Sequence, residues 1–173
     1  NEAKQVNIME KAEIARGKRR FREAYDFLRE ALRYGENAAI FNRAAAILNE
    51  MGEFAGAIQV AQYALKCEAA NPHAKWEMAV ASERLWKLDL AVQLVEELPE
   101  DGAPDRFAPH FPQRNELWGM ICLKRLDLPG VRKAIFRGAV HGRLPEPLAS
   151  RAERLGALTP KESAASPARS RSR

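Results

Sequence analysis

The chain has 173 residues, of which 46% are hydrophobic and 29% charged, the balance of a globular protein long enough for one continuous core. No stretch approaches the roughly 18 uninterrupted apolar residues of a membrane span, and the opening NEAKQVNIMEK is too polar for a signal peptide. Of the net charge of +5, the segment Leu158 to Arg173 holds +3 and leaves +2 on the body, too little for the basic face that many phosphate contacts require.

In chain order, apolar residues at three- and four-residue spacing come in paired segments. The first pair covers about residues 5–37, with Ala12 in its first helix and Phe21, Ala24 and Leu28 in its second. Between them, Arg16 to Arg22 (RGKRRFR) reads as a solvated turn with Phe21 tucked inward and Glu23, Asp26 and Glu30 offsetting its charge. The second pair, 38–71, carries Phe41, Ala44, Ala45 and Leu48 before the turn Met51-Gly52-Glu53, and Phe54, Ala57, Ile58, Ala61 and Leu65 after it. The third, 72–98, opens on Asn71-Pro72, a capping side chain followed by proline at the first helical position, and Pro99 closes it.

Pro99 to Pro112 holds four prolines and a glycine and is expected to be an inter-repeat loop without helix. A fourth pair, 112–142, follows, and then an amphipathic segment, 145–158, with Leu148, Ala152 and Leu155 on one side, expected as a capping helix. Residues 159–173 have almost nothing to bury and are expected to form a disordered basic tail.

The pairs repeat one another. A bulky apolar residue stands three places before a small or β-branched one at Phe21–Ala24, Phe54–Ala57, Leu88–Ala91 and Leu128–Val131, with starts 33, 34 and 40 residues apart. Ala12, Ala45, Ala79 and Gly119 hold equivalent places in the first helices, where a missing side chain lets a paired helix come close.

These residues, the period and the paired helices resemble the tetratricopeptide repeat family, over roughly Gln5 to Val140. The second copy matches best, with Phe41, Ala44-Ala45, Leu48, Gly52, Phe54, Ala57 and Ala64-Leu65 in compatible places. The fourth has Cys122 where the pattern has an aromatic, and most copies lack the terminal proline. The resemblance implies an all-α chain of helical hairpins stacked as a right-handed solenoid, whose first helices line a concave groove for another protein or peptide. The groove candidates it gives are Met9, Glu13 and Arg16, then Asn42, Ala46 and Asn49, then Trp76, Val80 and Glu83, and finally Glu116, Met120 and Leu123. Met9 and Glu13 in the first copy argue against a clamp for a terminal carboxylate.

Little in the sequence points to chemistry. His73, His110 and His141 are scattered without a second ligand at helical spacing, so no metal is expected. Cys67 and Cys122 stand singly among apolar neighbours and read as buried thiols of a reducing, cytoplasmic compartment. No phosphate loop, nucleophile elbow or Cys/His pairing occurs, and neither an enzymatic role nor a cofactor is expected. Trp118 and Trp86 read as packing residues and Trp76 as divided between core and groove. The function these features point to is a non-enzymatic protein-interaction scaffold. A nucleic-acid-binding helical repeat would need arginines and aromatics interleaved along one face, a pattern that is absent. An assembly or output module of a longer chain is compatible with a start at Asn1.

Overall fold

A computed structural model describes residues 2–98 and 111–140, together with Arg151 and Arg154. The expected loop over 99–110, most of the capping segment 145–158 and the tail from 159 lie outside them. Eight α-helices run along the described residues: α1 (Glu2–Gly17), α2 (Phe21–Ala31), α3 (Ala38–Met51), α4 (Phe54–Cys67), α5 (Pro72–Arg84), α6 (Leu88–Glu96), α7 (Phe111–Lys124) and α8 (Leu128–Val140). A 3₁₀ turn, Leu32–Tyr34, extends α2, and the described residues contain no strand. The all-α hairpin architecture expected from the periodicity is therefore present.

The second helices begin at Phe21, Phe54, Leu88 and Leu128, the four positions that the period marks. Three residues later Ala24, Ala57, Ala91 and Val131 are each fully buried. The small residues of the first helices, Ala12, Ala45, Ala79 and Gly119, are buried as well. At those places helix backbones approach, and a larger side chain would have to displace a neighbour.

One turn design closes all four hairpins. The first helix ends on a residue in the left-handed region, at Arg19 (φ 58°), Gly52 (φ 79°), Trp86 (φ 59°) and Leu126 (φ 57°). The next N–H reaches back five residues to a carbonyl: Arg20 to Ala15 (2.9 Å), Glu53 to Leu48, Lys87 to Ser82 and Asp127 to Cys122 (2.8 Å each). This is the Schellman closure, which satisfies carbonyls the helix end leaves without partners. Only one of the four positions is glycine, the residue that tolerates this conformation without steric cost. Leu126→Gly is accordingly expected to raise stability by about 1 kcal/mol, since its side chain is 74% exposed and has little packing to lose. A lower denaturant midpoint for the variant would contradict that account.

The chain divides into two compact units, Asn1–Leu94 and Val95–Arg173. In the first, Ile8, Ala12, Ala15, Ala24, Leu28, Ala31, Ile40, Ala44 and Ile47 form one core, with Phe21 and Met9 half-buried against it. The N-cap that the sequence suggests is formed: the Asn71 side chain accepts from Ala74 N–H at 2.9 Å, with Pro72 beginning α5. Asn37 does the same for α3, accepting from Ile40 N–H at 3.0 Å. Gln5 of α1 closes the far end of α2, donating to the carbonyls of Ala31 (3.2 Å) and Gly35 (2.6 Å). In the second unit, Cys122, Leu123, Val131, Ala134 and Ile135 make the core, and Trp118, Met120 and Leu128 pack on it. Pro112 stands in the first turn of α7, where an absent N–H costs nothing.

Two expectations about single residues are corrected. Cys67 is exposed, because it is the last residue of α4 and the chain leaves through an exposed Glu68–Ala70 turn that covers nothing. Cys122 is buried as expected, and burial, with Asp127 beside it, pushes its thiol up to about 11. Trp86 is 65% exposed rather than packed, standing at the left-handed position of the turn that joins α5 and α6.

Candidate functional site

The first helices of the first unit, α1, α3 and α5, lie side by side in one direction, as their cross-links show. Arg16, in the last turn of α1, meets Glu50, in the last turn of α3, through Nη2–Oε1 at 2.6 Å and Nε at 3.1 Å from both carboxylate oxygens. Glu13 of α1 pairs with Arg43 of α3 at 3.1 Å. From α3, the Asn49 amide donates to the Glu77 carboxylate (2.7 Å) and to the Glu77 carbonyl (3.0 Å) on α5, and the Asn42 amide donates to Asn71 (3.1 Å). A polar ladder thus stitches neighbouring first helices together.

The ladder consumes most polar candidates. Glu13, Arg16, Asn42 and Asn49 all hold a residue of the next hairpin, so their first role is to fix one repeat on the next. The Oδ1 atoms of Asn42 and Asn49 are buried and give a ligand no accessible acceptor. Met9, Ala46, Trp76 and Val80 are half-buried along the same helices and leave the remaining surface largely apolar.

Two candidates are corrected. Glu83 is 4% exposed and Leu123 lies in the core of the second unit, so neither is presented as a groove residue. Both stand in the last turn of their helix, where the carbonyl accepts the N–H of the left-handed turn residue. Glu116 and Met120 are half-buried in the second unit, Met120 with Arg151 Nη1 3.6 Å from its sulfur.

Two groups of the ladder have displaced titrations: the hydrogen bond to Glu50 raises Arg16 above its ordinary range, and Glu77 is raised as well. Burial between α3 and α5 raises its carboxyl to about 7; the Asn49 hydrogen bond and the Arg16 charge oppose the rise, and Glu50 adds to it. Sequence reasoning missed Arg43, Glu50 and Glu77. A signal existed: Arg16 and Glu50 are opposite charges 34 residues apart, one repeat length.

An open cleft of about 590 Å3 lies at the outer edge of α1, lined by Val6, Met9, Glu10, Glu13, Ile14 and Arg43. It contains two of the expected groove residues, Met9 and Glu13, and four that were not expected. Val6 and Ile14 are 50% and 58% exposed. Ile14 holds the register that Ile47 holds in α3 and Ala81 in α5, and both of those are fully buried, Ile47 within the core that α1 and α2 build.

No family model matches the sequence, and no curated protein matches it. Among solved structures, one described as "MamA RS-1 ArsTM double mutant" aligns with 93% of this chain and 89% of its own, at a TM-score of 0.72 and 16% identity. MamA contains tetratricopeptide repeats. The fold is a tetratricopeptide-type helical repeat. A likeness at this identity carries the architecture and leaves ligand and partner to the residues themselves. Among the described residues no helix is long and apolar enough to cross a membrane, and no group of His, Cys, Asp and Glu is placed to hold a metal.

Proposed function

We propose that the chain is a protein-interaction scaffold that takes an amphipathic helix of its partner into the cleft on α1. The observation behind this reading is Ile14. At its register the next two hairpins bury an apolar residue against helices, so the exposed Ile14 marks this face of α1 as one that a helix can cover. Val6 and Met9 extend the apolar strip at helical spacing, and Glu10, Glu13 and Arg43 give it a charged rim. Repeat stacks bind by offering such preformed surfaces, with no ordering cost on their own side.

Selection of a displayed peptide library on the immobilised chain tests the reading. Recovered peptides are expected to carry apolar residues at i, i+3 or i+4, and i+7, and Ile14→Glu is expected to weaken their binding by about tenfold or more while leaving the helical spectrum unchanged. Peptides without that pattern, or peptides indifferent to Ile14→Glu, would refute it.

A further inference from the structure

The apolar strip on the exposed face of α1 has a charge at its centre. Ala3, Val6, Glu10, Ile14 and Gly17 recur at three- and four-residue spacing and are all exposed, so they form one line along the helix with Glu10 midway. The residues three and four places from Glu10 on α1 are Val6, Asn7, Glu13 and Ile14, none of them a cation. Arg43, the cation of the same cleft, is held by Glu13 at 3.1 Å. Lys11, the next residue along, is turned about 100° away round the helix. A helix that covers the strip therefore takes water from a carboxylate that has no cation of its own. Burying such a charge unpaired outweighs the apolar contact around it, unless the incoming helix supplies the opposite charge.

The repeat says where on that helix the charge belongs. Ala12, Ala45 and Ala79 are equivalent, so Glu10 holds the register of Arg43 in α3 and of Glu77 in α5. At both of those positions the preceding first helix, running parallel, presents a polar side chain: Glu13 of α1 to Arg43, and Asn49 of α3 to Glu77 at 2.7 Å. Glu13 stands one place after Ala12, and Asn49 four places after Ala45. Both alanines are buried, as are the residues four places before and three after them, Ile8 and Ala15 in α1 and Phe41 and Leu48 in α3.

We propose, on the reading of the cleft as a helix site, that its partner is a basic amphipathic helix lying parallel to α1, with apolar residues at i, i+4 and i+7 and lysine or arginine at i+5 or i+8 opposite Glu10. Positions i+5 and i+8 lie together on one side of such a helix, so a cation at either reaches the same carboxylate. The charge acts chiefly as a selector, since a helix with an acid at this place sets like charges against each other in a desolvated seam.

Two synthetic helical peptides test the proposal, alanine-based with leucine at i, i+4 and i+7. One carries lysine at i+5 and i+8, and its twin carries glutamate at both. Fluorescence anisotropy against the full chain is expected to show the lysine peptide binding about tenfold tighter than its twin, by a margin that shrinks as salt rises. Glu10→Gln is expected to reduce the difference to about twofold or less and Glu10→Lys to reverse it, with circular dichroism unchanged because Glu10 is exposed. Equal binding of the two peptides to the parent, a preference for the glutamate twin, or a preference for lysine that survives Glu10→Lys would each overturn the proposed charge. If Ile14→Asn, which adds no charge, still weakens both peptides in such a case, the cleft stands as a helix site and only the chemistry of its partner falls. Binding of neither peptide, or binding that ignores Ile14→Asn, would overturn both readings together.

Discussion

Leu28→Ala is expected to destabilise the first unit by about 3 kcal/mol, the largest effect of any single truncation proposed for this chain. Leu28 is 1% exposed and sits in the core that joins α1, α2 and α3, one turn after the small residue Ala24. The same core holds Ala12, Ala15, Ala24, Ala31 and Ala44, which have no longer side chain to swing into the vacated volume, and β-branched Ile8, Ile40 and Ile47, which are stiff at χ1. The cavity therefore persists and adds to the lost transfer energy. Glu30→Ala, two residues away and exposed, is the matched control and should change stability by less than about 0.5 kcal/mol. Denaturant midpoints followed by circular dichroism compare the two. Equal shifts would mean that α2 does not bear on the core as described.

Glu77→Gln should make the protein more stable at pH 8 than the parent by about 2 kcal/mol and leave it unaltered at pH 5. Its folded-state carboxyl titrates near 7, against an ordinary value of 4.5. Between those values the unfolded chain has released the proton and the folded chain still holds it, so stability falls as pH rises, by up to about 1.4 kcal/mol per pH unit. Above 7 the folded state carries a charge in a desolvated place, where Arg16 opposes the cost and Glu50 increases it. Glutamine removes that charge and keeps an oxygen to accept from Asn49. Melting temperatures of both proteins across this range check the sign. Parallel curves would show that Glu77 is not buried as the ladder requires.

Much of the fold is legible in the sequence because it rests on a period. The starts of α2, α4, α6 and α8 and the burial of Ala24, Ala57, Ala91 and Val131 follow from a spacing that any reader can count. The turns are less legible, since only Gly52 announces a left-handed residue, whereas Arg19, Trp86 and Leu126 carry no such sign. For Trp86 the expectation of packing failed at this point: a large aromatic near a helix end is ordinarily core, and this one stands exposed at the left-handed position. The groove is legible as a set of helices and not as a set of free side chains. Spacing along α1 and α3 identifies Glu13, Arg16 and Asn49, but their capture by Arg43, Glu50 and Glu77 depends on how one hairpin is rotated against the next.

The first unit is built so that helices pack with their hairpin partner or with the adjoining hairpin: α1 with α2, α2 with α3, α3 with α4 and α5, and α4 with α5. Most of its tertiary structure thus closes loops of a few tens of residues at most, which keeps the chain entropy lost in the folding transition state small. Nucleation can begin at any hairpin and spread to its neighbour, and a mutation in one hairpin slows that step without blocking the others. The same locality governs mechanical response: tension on the chain would peel hairpins away in succession, with the Arg16–Glu50 and Asn49–Glu77 rungs as the successive points of resistance.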